Sequence, residues 1–145
     1  MKKCDFCNLS TFEKRIYYQS KFFYWILDRS PIRPGHTLVI PKRHLKSFED
    51  LQTKEIKALV GEAKRWVPKI LKTYKATGYN LVANISKAAG QSVPHLHFHI
   101  IPRTRAELGK LDKVRQIYYR SLPEHKRPRI IVHQVIQQVN KLKLK

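Results

Sequence analysis

Three histidines stand at every second position of the run SVPHLHFHIIPR, residues 92–103, alternating with leucine, phenylalanine and isoleucine. This period reads as a strand, in which successive side chains point to opposite faces. Leu96, Phe98 and Ile100 then face a core, and His95, His97 and His99 share the other face. Three imidazoles side by side fit three uses. They can form a solvated polar face, which is common for one histidine and less so for three together. They can converge on one metal ion. Alternatively, one ring held through one nitrogen can present the lone pair of the other to an electrophile and form a covalent intermediate. A cupin-like metal enzyme would also want a nearby Glu, yet no carboxylate lies in the ten residues before His95, and the next after it is Glu107. Gly90, Gln91 and Ser92 place small backbone, amide and hydroxyl donors directly before the histidines. Donors beside a nucleophile suit an anionic electrophile such as a phosphorus centre. His36 opens another apolar run and brings a fourth imidazole if the two strands lie close.

Cys4 and Cys7 are the only cysteines and form a C-x-x-C. A redox pair of that spacing follows a strand and opens a helix, and no such unit precedes residue 4. Half of a metal site, completed by histidines elsewhere, is the better reading; two ordinary thiols on a frayed terminus is the plain one.

Elements must position these groups. Lys21–Leu27 (KFFYWIL) and His36–Pro41 (HTLVIP) read as strands joined by a turn at Pro31, Pro34 and Gly35. Thr53 is the expected N-cap of a helix with Glu55 in its first turn. Ile56, Leu59, Val60, Ala63, Val67, Ile70, Leu71 and Tyr74 recur at helical spacing behind it. Pro68 predicts a kink or an early stop, and Gly78 an end to the segment. Tyr79–Ser86 and His95–Pro102 read as two further strands. Val132, Val135, Ile136, Val139 and Leu142 suggest a last amphipathic helix. The expected class is α+β: antiparallel strands with one main helix between them and a C-terminal helical extension.

At 145 residues one domain is expected, and no apolar run is long enough to span a membrane. MKKCDFCNLSTFEK has a positive start with no apolar stretch behind it, so it is not read as a secretory signal, and a cytoplasmic home is the expectation. Thirty Lys and Arg against ten Asp and Glu make the chain attractive to polyanions, whether nucleotides, nucleic acid or anionic membranes. Residues 103–145 hold twelve Lys and Arg against three acids.

The run HLHFHII resembles the signature of the histidine triad (HIT) superfamily, three histidines alternating with apolar residues. RPGHTLVIPKRH, NISKAAGQSVPHLHFH and CDFC are similar to further segments of that family, the last to the opening of its zinc-carrying members. The resemblance covers about residues 4 to 103, which sets a HIT domain of 1–103 apart from a basic extension of 104–145. It implies the HIT-like fold, an antiparallel sheet of about five strands with one main helix, and a nucleotide hydrolase or transferase acting at the α-phosphate. His97 would be the nucleophile, with His99 and His36 lining the pocket to orient or neutralise the phosphate. Asn84, Gln91 and Ser92 would donate to phosphate oxygens, Asp28 would grip the ribose, and Phe6 and Ile26 would flank the base. Cys4, Cys7, His44 and His95 would hold a structural zinc. The resemblance implies a homodimer, and a dinucleoside polyphosphate such as diadenosine tetraphosphate as substrate. Nucleoside phosphoramidates are the alternative; TRAELGK replaces a loop common in the first branch and the C-terminal Trp of the second is absent, so the two departures bear on the substrate and not on the chemistry. A third reading is removal of adenylate from nucleic-acid ends, or nucleic-acid binding through the basic tail.

Overall fold

The computed structural model describes residues 4–107 and 132–143. Five strands form one sheet: β1 (Ile16–Gln19), β2 (Phe23–Leu27), β3 (Thr37–Pro41), β4 (Gly78–Ala83) and β5 (Phe98–Arg103). Their spatial order is β1-β2-β3-β5-β4, antiparallel throughout. α1 (Thr53–Tyr74) connects β3 to the edge strand β4, and α2 (Val132–Lys143) follows the sheet. The α+β arrangement of about five strands and a main helix is therefore the observed one. β1 is the strand the sequence reading does not name. It has four residues and a register shift between Ile16 and Tyr18, too little for alternation to show.

The alternation along β2, β3 and β5 divides the interior in two. Phe23, Trp25, Leu27, Val39, Leu96, Phe98 and Ile100 point to the helix side, where Trp66, Val67 and Ile70 of α1 meet them. Ile26, Leu38 and Ile40 point to the other side and pack with Phe12. Burying each such large apolar side chain contributes about 1.5–3 kcal/mol, so the helix-side layer dominates the apolar stabilisation. Val139 and Leu142 of α2 join that layer. The side chains of Val132, Val135 and Ile136, expected on the same stripe, lie outside the described residues.

α1 differs from expectation at three points. Its N-cap is Gln52, not Thr53. The Gln52 amide donates to Glu55 Oε2 at 2.8 Å, and the Arg43 guanidinium holds both oxygens of the same carboxylate at 2.7 Å. The helix runs through Pro68 to Tyr74. Pro68 and Lys64 are both exposed, so water can satisfy the carbonyl that proline leaves without a donor. The left-handed residue that ends the helix is Lys75, at φ 53°, and Gly78 instead opens β4.

One glycine is sterically required. Gly35, at φ 82°, ends the turn between β2 and β3, and a Cβ there would stand only 2.3–2.8 Å from ring carbons of Tyr74 at the end of α1. No helix among the described residues is long and apolar enough to cross a membrane.

Candidate active site and metal centre

β5 begins at Phe98, so His95 and His97 lie on the segment that enters the strand rather than within it, as the alternation alone predicts. Their sidedness holds nevertheless. Leu96, Phe98 and Ile100 belong to the helix-side core, while the His97 and His99 rings stand 4.9 Å apart, centroid to centroid. His36 joins them from the residue before β3, its ring centroid 5.3 Å from that of His99. The pairing of Leu38 with His99 and Thr37 with Ile100 sets this approach. All four imidazoles of the triad and its partner are buried, each at most 1 % exposed.

Hydrogen bonds give the rings separate roles. His97 Nδ1 lies 2.8 Å from the His95 carbonyl oxygen, which can only accept. His97 therefore carries its proton on Nδ1 and leaves Nε2 as a lone pair. His36 Nε2 lies 3.0 Å from His99 Nδ1, and the amide of Ile32 donates to His36 Nδ1 at 3.1 Å. His99 Nε2 is buried without a hydrogen-bond partner among the described residues. Burial, followed by the charges of Arg103 and His97, pushes His36 down to about 3. Asp28 Oδ2, 3.3 Å from His36 Nδ1, favours the opposite, but desolvation prevails. Burial lowers His97 too, and lowers His99 well below its ordinary value. The three rings are neutral at pH 7, the state a nucleophilic imidazole requires.

A cavity of about 180 Å³ is lined by Phe6, Asp28 and Ser92 together with Arg15, Arg29, Ser30 and Leu38; the imidazoles do not line it, but His97 meets Phe6 and His36 meets Asp28. Phe6 stands edge-on to His97 at 5.1 Å. Asp28 Oδ1 accepts from the Ser30 amide at 3.0 Å. Three of the residues expected around a nucleotide thus share one cavity. The other three are placed differently. Ile26 is fully buried beneath it with Phe12 and Leu38, so Leu38 supplies the apolar wall. Asn84 is buried just past the end of β4. Gln91 uses its side chain within the loop: Oε1 accepts from the Ser86 amide at 2.9 Å, and Nε2 lies 3.4 Å from the carbonyls of Lys46 and His95. Arg15 and Arg29 are the cavity residues that sequence reading missed. Arg29 adjoins Asp28, and Arg15 precedes the unnamed β1; burial and then Arg29 push Arg15 down to about 10.

On the far side of His95, Cys4, Cys7, His44 and His95 bring one sulfur or nitrogen each within 4.8 Å of one another. Cys4 Sγ and Cys7 Sγ lie 3.5 and 3.6 Å from His95 Nδ1, and Cys7 Sγ lies 3.2 Å from His44 Nδ1. A tetrahedral zinc with bonds of about 2.3 Å to sulfur and 2.0–2.1 Å to nitrogen separates S and N ligands by about 3.6 Å, so the donor set fits. His95 Nε2 faces the Pro41 carbonyl at 2.9 Å, which places its proton there and leaves Nδ1 as the donor to a metal. Asp28, His36 and His99 form a second close group, but His36 and His99 already share a proton.

The comparisons agree with this geometry. Residues 10–106 match the model of the HIT domain. An uncharacterized HIT-like protein of Methanocaldococcus jannaschii is 36% identical over 118 residues, covering 79% of this chain and 91% of the relative. The asymmetrical bis(5'-nucleosyl)-tetraphosphatase of Schizosaccharomyces pombe is 35% identical over 100 residues, 69% of this chain and 55% of that protein. A Zn-bound histidine triad family protein from Mycobacterium smegmatis superposes with a TM-score of 0.73 at 26% identity, covering 98% of this chain and 91% of that one. The sheet, the four imidazoles and the matched residues lead to one conclusion: the chain has the HIT fold, belongs to the HIT family and is an enzyme of its hydrolase or nucleotidyltransferase class.

Proposed function

We propose that this chain cleaves nucleotides at the α-phosphorus through a covalent nucleotidyl-His97. The observation that carries the reading is the Nδ1 of His97 bound to the His95 carbonyl at 2.8 Å, which leaves Nε2 unprotonated on a ring that stands edge-on to Phe6 of the cavity wall. Nε2 attacks the α-phosphorus, a P–N bond forms, and the bond to the leaving phosphate oxygen breaks with its electron pair. Water then adds to phosphorus, its proton passes to solvent, and the P–N pair returns to Nε2. His99 Nε2, buried and aimed away from His36, donates to the phosphate as negative charge develops. Phe6 and Leu38 hold the base, Asp28 the ribose, and Ser92 a phosphate oxygen. Asn84 and Gln91 complete the nucleotide set, with Gln91 released from its loop contacts when substrate enters, and Ile26 backs Leu38 from within the core.

Dinucleoside polyphosphates are the preferred substrates, supported by the activity named for the fission-yeast relative. Nucleoside phosphoramidates are the second class. The experiment is a panel of both, with an α-labelled nucleotide. Near-stoichiometric, acid-labile label on wild-type protein and none on His97→Ala supports the covalent step, whereas turnover without any trapped label argues for direct attack by water.

Zinc at Cys4, Cys7, His44 and His95 is part of the proposal. When bound it supplies closed, structural coordination that ties the N-terminal turn Asp5–Cys7 to the segment entering β5. We further assign a cytoplasmic, homodimeric protein. Tyr79 and Leu81 on edge strand β4 and Val60 on α1 are about half exposed, and a second copy would cover them. The extension 104–145 would add affinity for polyanions, nucleic acid included, without touching the chemistry. Most of its charge lies outside the described residues.

A further inference from the structure

The face of α1 turned away from the sheet carries Lys54, Lys57, Lys64, Arg65 and Lys72, and Lys75 follows at the C-cap, all exposed. At 3.6 residues per turn the first five fall within an arc of about 100°, and at 1.5 Å per residue they span about 27 Å, with Lys75 just beyond the last turn. The only other exposed residues in that arc are Gly61 and Pro68, which bring no side-chain bulk and no apolar contact. None of the six cations forms an ion pair among the described residues. Both acids of the helix are committed elsewhere: Glu55 to Arg43, and Glu62 to the indole of Trp25 at 2.7 Å. No acidic residue occurs in the sequence between Glu62 and Glu107. Lys54 adjoins Glu55, and Arg65 lies 5.7 Å over the rings of Tyr18 and Trp66, but no acid is paired with the row along its length. Lys54 and Lys57 are a like-charge pair at i, i+3, which disfavours the helix that carries them.

We infer that this row is a docking surface for the phosphate backbone of a duplex nucleic acid, bound without sequence preference. Charge complementarity selects a polyanion, and the length of the row matches about one turn of a duplex. Lys and Arg without interleaved Asn or Gln reach phosphates but do not read base edges. A membrane surface is the poorer partner, because a helix lying on lipid needs apolar residues on its outward face. The apolar residues Trp66, Val67 and Ile70 are turned into the core instead. α1 covers the sheet face opposite the imidazoles, so the row and the nucleotide cavity are separate surfaces, and the inference does not depend on the reaction proposed above.

The test is fluorescence anisotropy of the full chain with a mixed-sequence 20-base-pair duplex between 50 and 200 mM salt. Six phosphate contacts predict a slope of log affinity against log salt near −5, at about −0.9 per contact. Replacing Lys57, Lys64, Arg65 and Lys72 with Gln should make that slope shallower by about 3 to 4 and weaken binding roughly tenfold or more at 100 mM salt. Nucleotide turnover and the melting temperature of the variant should be retained, which shows that it is folded. An unchanged slope and affinity in the variant would place any binding elsewhere and overturn the inference. So would failure of the parent to bind duplex at 50 mM salt, or tighter binding to vesicles containing phosphatidylserine than to duplex.

Discussion

His36 Nε2 and His99 Nδ1 stand 3.0 Å apart in a site closed to water, and a single proton lies between them. The Ile32 amide at 3.1 Å and the Asp28 carboxylate at 3.3 Å compete for His36 Nδ1, and the shorter contact favours Nδ1 as the acceptor and Nε2 as the donor. In that tautomer His99 Nδ1 accepts and its Nε2 carries the remaining proton. One backbone amide in the turn after β2 thus gives His99 an Nε2–H with no partner among the described residues, while the His95 carbonyl leaves His97 Nε2 as a lone pair.

His97→Ala should lower turnover by several orders of magnitude and leave nucleotide binding and the fold largely intact, because a covalent nucleophile has no substitute among its neighbours. Steady-state rates and equilibrium binding on a contaminant-free variant check this. Near-normal turnover would reassign the nucleophile.

Stability should fall on acidification in a window that the buried rings define. An unfolded histidine titrates near 6.5, whereas His36 in the fold is held at about 3 by burial. Between those values the unfolded chain takes up a proton that the folded chain refuses. The contribution is complete above pH 6.5 and is lost as pH falls, by up to about 1.4 kcal/mol per pH unit for each such ring. Urea unfolding at pH 7.5, 6.0 and 4.8 should show the decline, and His36→Gln should reduce its slope by about one ring's share. An identical slope in the variant would mean that His36 is protonated in the fold.

Protein purified without a polyhistidine tag should carry about one zinc per chain, and Cys7→Ser should lose it. Chelation should lower the melting temperature of the parent but not of the variant. Less than a tenth of an equivalent, with no thermal response to chelator, would remove the assignment.

Leu142→Ala should destabilise the chain by about 2–5 kcal/mol, the usual cost of emptying a fully buried leucine site. Leu142 is 0 % exposed and packs in the same core as Trp66 and Val139. Denaturation of the purified variant measures it; a change within 0.5 kcal/mol would mean that α2 is not docked in solution.

Light scattering at micromolar concentration should return twice the 17.2 kDa chain mass, and Leu81→Lys should return it once. Leu81 is 56 % exposed on the outer strand, where a charge blocks edge-to-edge pairing. A parent that runs at the single-chain mass would exclude the dimer.

Much of this molecule is legible in its sequence where short-range periodicity sets the outcome. Alternation assigned opposite faces to His97 and Phe98 before any geometry was known, and helical spacing found α1 through Ile56, Val67 and Ile70. The extent of regular strand was not legible, because whether His95 pairs depends on a neighbour and not on its own residue type. Pro68 misleads for a related reason: its cost depends on whether the orphaned carbonyl meets water. Arg15 and Arg29 escaped notice because a cavity is assembled from separate segments. Gln91 was found, but its hold on the Ser86 amide rests on a loop shape that no spacing encodes.

Gly35 has a consequence for how damage travels through this protein. With no Cβ, it lets the last ring of α1 press against the turn that delivers His36. Any larger residue must displace either the ring or the turn, and only the turn is joined directly to the imidazole. Gly35→Ala would therefore act as a lesion of proton placement inflicted from the opposite side of the sheet: the nucleophile, the metal ligands and the cavity walls would all be present, and His99 would have lost the partner that tells it which nitrogen to protonate.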